Sequence, residues 1–293
     1  MSKPHFICIG AQRSGTDWLY EQLKNHPDIW LPPVKEIHYF DRRYPPAPLV
    51  GGESQPKHRP SVFNYRKLRS YIGWLRRTDS FAAFRWLLKY SLRGSSDDWY
   101  KSLFNRKDER LTGDITPAYS TLDRNAVAKV KEVSPDAKII YILRDPVDRA
   151  WSQALRKFTY LKSSRPEDLS SDVLDAFFES PVFRLRNDYL MTIENWLSMY
   201  DRKQVHFILF DDLIARSDEV LCGLCRFLEI PYDKSFFPEA GERKNSGPLN
   251  VMPPRVREAL SKKYLDDMER LAKMFGGPTE KWLKRARESI ASG

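Results

Sequence analysis

A glycine-flanked loop near the start of the chain has the composition of an anion-binding site. Gly10 and Gly15 enclose Ala-Gln-Arg-Ser, and Thr16 follows, which is the spacing of a phosphate-binding loop. Glycines allow successive backbone N–H groups to face one anion, and a following helix adds its positive end. The lysine of a nucleoside triphosphate site is absent, and Asp17 follows Thr16 instead. A tight turn without a ligand is the alternative, but Arg13 inside the loop favours one phosphate group.

Titratable side chains are concentrated in the segment KEIHYFD at residues 35–41. Its Glu36, His38 and Asp41 lie beside two aromatic residues. An apolar environment raises the pKa of a carboxyl group, which then becomes a useful general base. An ordinary polar loop explains this segment, taken alone, equally well.

A second cationic position follows the apolar segment at residues 137–143. Arg144 comes directly after it, and Ser152 lies one or two turns into the helix predicted next. A planar guanidinium and a hydroxyl together can hold a phosphate group. The alternative is a structural ion pair between Arg144 and Asp145 or Asp148.

The segment GDITPAYS at residues 113–120 is another polar turn. Thr116 and Tyr119 would line a substrate site if this turn faces the loop. A plain turn is at least as good an interpretation.

Three apolar segments predict the strands that would position these residues: 5–10, 137–143 and 204–210. Each is followed by a helical pattern, and alternating strands and helices are typical of a parallel sheet flanked by helices. Ligands bind beyond the carboxyl ends of strands in such sheets. We therefore predict an α/β fold with a P-loop-like parallel sheet, and a site after Gly10 and Leu143.

Residues 42–98 interrupt this pattern. The part at 42–94 holds twelve Lys or Arg and two acidic residues, so its net charge equals the +10 of the whole chain. Two basic, aromatic-rich helices are predicted at 65–77 and 80–93. This insertion or cap would contact an anionic or aromatic acceptor, a carrier protein or a membrane surface; the alternative is a helix pair that packs its aromatic rings on the core. We predict a single domain over 1–293, with C-terminal helices at 253–293.

The overall composition is that of an ordinary globular protein. Hydrophobic residues make up 41% of the 293 positions, and no segment approaches the roughly 20 apolar residues of a membrane span. The N-terminus lacks the pattern of a signal peptide, so a cytoplasmic location is expected. Three cysteines do not suggest a disulfide framework. Cys222 and Cys225 have CxxC spacing inside a helical pattern, which favours packing residues over a metal site.

Taken together, these motifs resemble those of sulfotransferases that use 3′-phosphoadenosine 5′-phosphosulfate (PAPS). The match is nearest to the branch with the Golgi heparan sulfate sulfotransferases and their soluble bacterial relatives. It includes the glycine loop, KEIHYFD, GDITPAYS and YILRDPVDRAWSQ, and then NDYLMTIENWLSMY, FILFDDL and CRFLEIP in the family's order.

The resemblance assigns a role to each motif. The opening loop would bind the 5′-phosphosulfate through Arg13, Ser14, Gly15, Thr16, Asp17 and Trp18. The 3′-phosphate would lie on Arg144 and Ser152, and a late loop with Arg243, Lys244 and Gly247 would close over the nucleotide. Glu36 would be the catalytic base, with His38 and Arg13 assisting. Lys35, Asp41, Thr116 and Tyr119 would face the acceptor. No metal is implied, and the product would be adenosine 3′,5′-bisphosphate (PAP).

This chain departs from the family at two positions. Arg13 stands where the family usually has lysine, and a guanidinium does not release its proton in proteins. Ile115 stands where the heparan enzymes carry a lysine, which argues against heparan as the acceptor. The sequence therefore predicts O-sulfation of an unidentified hydroxyl on a carbohydrate or small natural product. It does not predict the oligomeric state.

Two other functions fit parts of the pattern. A nucleotide-dependent kinase would use the same loop, but it requires a Mg²⁺ ligand set that the sequence does not suggest after its strands. A basic module that binds nucleic acid or a membrane surface would explain the charge, with a degenerate nucleotide site. We expect no nucleic acid partner and no transmembrane segment.

Overall fold

A five-stranded parallel sheet organises the chain. The computed structural model describes residues 3–46, 80–91, 96–106, 108–160, 169–241 and 251–292. The strands follow the order β2-β3-β1-β4-β5. Their bounds are β1 Phe6–Gly10, β2 Ile29–Trp30, β3 Leu111–Ile115, β4 Lys138–Leu143 and β5 Val205–Leu209.

Helices follow the strands and cover both faces of the sheet. The described α-helices are α1 Thr16–Leu23, α2 Phe40–Arg43, α3 Ser80–Ser91, α4 Asp97–Ser102, α5 Arg124–Val133, α6 Pro146–Leu155, α7 Ser171–Glu179, α8 Pro181–Asn187, α9 Tyr189–Leu197, α10 Phe210–Ala215, α11 Ser217–Leu228, α12 Pro254–Phe275 and α13 Pro278–Ala291. A 3₁₀ turn at Pro117–Thr121 follows β3, and a π-helical turn at Arg156–Tyr160 follows α6.

The central strand explains how the two cores are separated. Successive side chains of β1 point to opposite faces, so Phe6 and Cys8 enter one apolar cluster and Ile7 and Ile9 enter the other. Every residue of β1 is buried. A parallel strand buried on both faces reads as a continuous apolar run, and this pattern made the strand predictable.

The predicted α/β architecture is confirmed, and the three predicted strands appear one residue shorter at one or both ends. Two strands were missed. Strand β2 has only two residues, and β3 has the sequence LTGDI, which was interpreted as part of a polar turn. The absent side chain of Gly113 explains this error. A Cβ there would lie 2.1 Å from the ring of Phe6, so the strand requires glycine at this position, and glycine is a residue typical of turns.

The helical predictions have mixed outcomes. The predicted helix at 80–93 is present as α3, where Trp86 and Tyr90 are buried and stack with ring centroids 5.2 Å apart. The predicted helix at 65–77 lies outside the described residues. The single helical pattern predicted at 211–228, which contains Cys222 and Cys225, is divided at Arg216 into α10 and α11. The predicted C-terminal helices are present as α12 and α13.

Within the described ranges, no helix combines the length and the apolar character needed to cross a lipid bilayer.

Candidate active site

The loop between β1 and α1 is fixed by backbone contacts with neighbouring elements. The Ala11 N–H donates to the Ile142 carbonyl at 2.8 Å, which ties the loop to β4. Gly15 has φ +89°, and a Cβ there would lie 3.3 Å from the ring of Phe210. Among the described residues, no side chain caps the start of α1. Its first N–H groups therefore remain suited to an anion bound in the loop.

Arg13, Ser152 and Arg144 meet beside this loop. Nε of Arg13 donates to Oγ of Ser152 at 3.1 Å, although the two residues are 139 positions apart. Nη1 of Arg144 donates to the Arg13 carbonyl at 3.0 Å. The Arg144 guanidinium also lies 4.7 Å from the ring centroid of Phe210. The fold thus joins two cations and a hydroxyl from separate motifs at the carboxyl ends of β1 and β4.

The alternative role of Arg144, an ion pair with a neighbouring aspartate, is wrong. Asp145 accepts a hydrogen bond from Arg285 at 2.9 Å, and Asp148 accepts one from Arg257 at 3.2 Å. In the parts of the chain that the structure describes, Arg144 forms no ion pair with a carboxylate. Its guanidinium contacts a backbone carbonyl and an aromatic ring, and no carboxylate of the described residues pairs with its charge.

Lys35 reaches the loop from a different segment. Its Nζ donates to Thr16 Oγ1 at 3.2 Å and forms an ion pair with Asp17. The same Nζ lies 3.8 Å from Oε1 of Glu36. The ammonium group is therefore located between the start of α1 and the predicted base. The sequence suggested an acceptor-facing position for Lys35, whereas its contacts are with the loop helix and Glu36.

Glu36, His38 and Asp41 form a hydrogen-bonded chain. Nε2 of His38 lies 3.2 Å from Glu36 Oε2, and Nδ1 lies 2.8 Å from Asp41 Oδ2. Burial alone would lower the pKa of His38, but the hydrogen bonds and negative charges of Asp41 and Glu36 raise it to about 9. The ring is therefore an imidazolium at neutral pH and donates to both carboxylates.

The segment that carries Glu36 and His38 has an unusual backbone conformation. Glu36 has φ +64° and His38 has φ +56°, a region that residues other than glycine rarely occupy. The Glu36 N–H donates to the Ile115 carbonyl at 3.2 Å, which anchors the segment to the end of β3. The Tyr119 hydroxyl accepts the Tyr39 N–H at 3.1 Å. Contacts with β3 and the turn after it thus hold the strained segment in place.

Asp114 organises the buried layer below the chain of Glu36, His38 and Asp41. It accepts hydrogen bonds from the hydroxyls of Tyr100 at 2.9 Å, Tyr119 at 3.0 Å and Thr116 at 2.7 Å. All four side chains are buried. The predicted contact of Thr116 and Tyr119 with an acceptor is therefore not supported, because both hydroxyls donate hydrogen bonds to Asp114. Asp114 stands in the motif GDITPAYS, yet its role was not foreseen.

The remaining predicted nucleotide contacts are buried or lie outside the described residues. Ser14 is fully buried in the loop, and Nε1 of Trp18 donates to the Ala240 carbonyl at 3.2 Å from within the core. The predicted late loop with Arg243, Lys244 and Gly247 lies outside the described residues.

The CxxC cysteines occupy one helix, α11, where Cys225 is buried and Cys222 is partly exposed. Across the described ranges, no cluster of three or more His, Cys, Asp or Glu side chains could hold a metal ion.

Arg186 near the end of α8 was not singled out in the sequence. Burial and the nearby charge of Arg149 lower its pKa to about 10, while the charges of Glu36 and Asp41 act in the opposite direction. Arg186 is therefore a cation within electrostatic range of the predicted base. No motif marked it, because α8 follows a segment with no apolar strand pattern.

Comparison with known proteins gives one family. The profile described as "Sulfotransferase family" matches residues 4–234. Human heparan sulfate glucosamine 3-O-sulfotransferase 3B1 is 27% identical over 252 residues, covering 80% of this chain and 49% of the relative. Human carbohydrate sulfotransferase 15 is 23% identical over 269 residues, covering 78% and 44%. The chain spans about half the length of the curated relatives it matches.

Solved structures share the fold. A sulfotransferase from Alicyclobacillus acidocaldarius has a TM-score of 0.65 at 24% identity, covering 96% of this chain and 99% of its own. The sulfotransferase domain from the curacin biosynthetic pathway has a TM-score of 0.55 at 20% identity, covering 99% of both. A mouse sulfotransferase complexed with PAP scores 0.51 at 14% identity, covering 100% and 90%. With a family match over most of its length and this P-loop-like fold, the chain belongs to the sulfotransferase family.

Proposed function

We propose that this protein transfers a sulfuryl group from PAPS to a hydroxyl of an acceptor, with PAP as the second product. One observation carries the proposal: the glycine loop has a cation pair with a hydroxyl on one side and the chain of Glu36, His38 and Asp41 on the other. A nucleotide with a 3′-phosphate at one end and a transferable sulfuryl group on its 5′-phosphate at the other end fits such an arrangement.

The residues beside the loop fit the charges of PAPS. The open N–H groups at the start of α1 suit the 5′-phosphosulfate. Arg144 and Ser152 suit the 3′-phosphate, because Arg144 has no acidic partner among the described residues and Ser152 lies two turns into α6. Arg13 contacts Arg144 through its carbonyl and Ser152 through its Nε. Family membership and the PAP complex of the mouse relative add support.

In this proposal Glu36 is the general base. PAPS supplies the sulfuryl group and a phosphate leaving group. Glu36 takes the proton of the acceptor hydroxyl as the oxygen attacks sulfur. The His38 imidazolium holds the Glu36 carboxylate in one orientation, and Asp41 holds the other side of the ring. With a pKa near 9, His38 is already protonated at neutral pH, so it positions the base rather than acting as one.

The acceptor is proposed only by chemical class. Relatives named as heparan sulfate sulfotransferases suggest a carbohydrate, and a small natural product is the alternative. Ile115 at the end of β3 argues against a polysulfated glycan, since its side chain is buried in the apolar cluster with Phe6 and Cys8 and supplies no charge to the site. Arg186 supports an acceptor that carries a negative charge close to its hydroxyl. The alternative functions, a kinase or a basic binding module, are not favoured by the family.

Calorimetry with PAP and with adenosine 5′-monophosphate tests the cosubstrate. We expect the wild type to bind PAP more tightly without added metal. Arg144→Ala should weaken PAP binding by about tenfold to a hundredfold and leave the monophosphate nearly unchanged. Arg287→Ala is the matched control, because Arg287 pairs with Glu269 on the C-terminal helices. Equal affinity of the wild type for both nucleotides would contradict the assignment of the 3′-phosphate.

A second experiment identifies the acceptor. Labelled PAPS is incubated with pools of sugars, phenols and alkyl alcohols, and products that gain a sulfuryl group are detected by mass spectrometry. The proposal requires at least one labelled product that Glu36→Gln does not form.

A further inference from the structure

We infer that Lys35 is a catalytic cation that stabilises the leaving phosphate, and that Asp17 positions it. This inference rests on the proposed function and adds a residue and a role to it. It also gives a specific role to Asp17, which the family resemblance placed only among the contacts of the 5′-phosphosulfate.

The contacts of Lys35 define one location. Its Nζ touches Thr16 Oγ1 and Asp17 at the start of α1, and it lies 3.8 Å from Glu36 Oε1. A group bound to the N–H groups of α1 and facing Glu36 would therefore meet this ammonium. Only 17% of the Lys35 side chain is exposed, so its charge acts in partly desolvated surroundings, where electrostatic stabilisation is stronger than in water.

Arg13 has a different location, although it stands where related loops carry lysine. Its Nε donates to Ser152, and its carbonyl accepts from Arg144, so it is tied to the side proposed for the 3′-phosphate. The loop cation is thus directed to nucleotide recognition. Lys35 supplies a cation on the side of the proposed base, from a segment that follows β2 rather than β1.

In the proposed sulfuryl transfer, each bond and proton has a defined destination. Glu36 takes the hydroxyl proton while the acceptor oxygen forms its bond to sulfur. Lys35 donates an N–H to the oxygen that bridges sulfur and the 5′-phosphate, and this oxygen keeps the electron pair of the S–O bond that breaks. Because negative charge grows on the bridging oxygen only as that bond breaks, the ammonium stabilises the transition state more than the bound substrate.

Asp17 serves as the positioning residue in this arrangement. It lies in the first turn of α1, and its ion pair with Lys35 restrains a long, flexible side chain. Removal of its charge would leave the ammonium in place but less restrained. Asp17→Asn should therefore reduce turnover less than Lys35→Met does.

Measurements of nucleotide binding distinguish the role of Lys35 from that of Arg13, and they require no acceptor. Calorimetry of Lys35→Met should show about tenfold weaker binding of both PAP and adenosine 5′-monophosphate, so that their affinity ratio stays at the wild-type value. Arg13→Met should lower the ratio, because its contacts lie on the 3′-phosphate side. Lys24→Met, which removes an exposed lysine paired with Glu21 on α1, should change neither affinity.

The rate of PAPS conversion to PAP, with water as acceptor and the enzyme saturated, tests the catalytic role. Chromatography of the nucleotides should show about a hundredfold slower conversion by Lys35→Met. Lys35→Arg, which keeps the charge, should recover part of the rate. Thermal melting of each variant verifies that it is folded.

Two results overturn the inference alone: a wild-type rate for Lys35→Met, or a fall in its affinity ratio like that of Arg13→Met. A wild type that binds neither nucleotide would instead overturn the proposed function, and the inference with it.

Discussion

Nε2 of His38 lies 3.2 Å from Oε2 of Glu36, and the opposite ring nitrogen lies 2.8 Å from Asp41. The ring therefore shares its charge between two carboxylates. Burial opposes a charged ring, yet these contacts raise the pKa of His38 to about 9. A group that binds its proton more tightly in the folded state links stability to pH.

The pH dependence of unfolding follows from this shift. The ordinary pKa of histidine is near 6.5, so the stabilisation from His38 is complete below that pH and is lost as the pH rises through about 9. The loss is at most about 3 kcal/mol. Denaturant unfolding between pH 6 and 9.5 should show this decline in the wild type and a flatter profile for His38→Gln. Identical profiles would mean that the ring is not protonated in the folded protein.

Glu36→Gln tests the base separately from the fold. The amide keeps the shape of the side chain but cannot take a proton, so turnover should fall by about a hundredfold to ten-thousandfold. Because Glu36 contacts Lys35 and His38, which are not proposed to hold the 3′-phosphate, PAP affinity by calorimetry should stay within about threefold of the wild type. Glu21→Gln, on the exposed surface of α1, is the control. Near-normal turnover of Glu36→Gln would exclude the role.

The strands could be predicted where burial on both faces of the sheet determined the local sequence. Strands β1, β4 and β5 appear as apolar runs because the sheet is covered on both faces. Strand β3 was not recognised, because its Gly113 and Asp114 are set by partners distant in sequence: the ring of Phe6 and the hydroxyl of Tyr100. Local sequence patterns do not reveal contacts with residues that are distant in sequence.

The individual residues of the site could be predicted from the sequence, but the contacts between their side chains could not. Motif spacing predicted Arg13, Arg144 and Ser152 near one crevice, and the structure adds that Arg13 contacts both of the others. The pairing of Lys35 with Asp17 could not be predicted, because the two residues are 18 positions apart and β2 lies between them. Side-chain contacts across segments depend on the backbone path, which the sequence alone did not supply.

Asp114 provides a stability test of the layer below the site. Burial raises the pKa of this carboxyl to about 6, although the hydrogen bonds from three hydroxyls have the opposite effect. Asp114→Leu would leave the hydroxyls of Tyr100, Tyr119 and Thr116 without their acceptor, so the free energy of unfolding should fall by about 3–5 kcal/mol. Asp114→Asn keeps an acceptor oxygen and should lose less in the same denaturant titration. Equal losses would contradict this account of the hydrogen bonds.

Gly113→Ala tests the close packing inside the sheet. The new Cβ would lie 2.1 Å from a Phe6 ring atom, and the ring is fully buried, so we expect a loss of about 1–3 kcal/mol in unfolding free energy. Gly223→Ala is the matched control. Gly223 lies in α11 with no atom within 4 Å of the new Cβ, and alanine there should stabilise the helix by up to about 1 kcal/mol. Similar thermal shifts for both variants would contradict the proposed clash.

Arg186 tests whether the acceptor carries negative charge. Its guanidinium is in electrostatic range of Glu36 and Asp41, and Arg186 is not one of the residues proposed to hold the nucleotide. Arg186→Met should therefore leave PAP affinity unchanged and raise the KM of an anionic acceptor by at least about tenfold, because a charge-assisted hydrogen bond is lost.

Arg184→Met is the control, since Arg184 lies on the same helix α8 and its side chain is exposed. Initial rates against acceptor concentration, measured for a charged acceptor and its uncharged analogue, provide the comparison. If Arg186→Met raises both KM values equally, the residue shapes the pocket and does not recognise charge. If only the charged acceptor is affected, the anionic group lies next to the hydroxyl that Glu36 deprotonates.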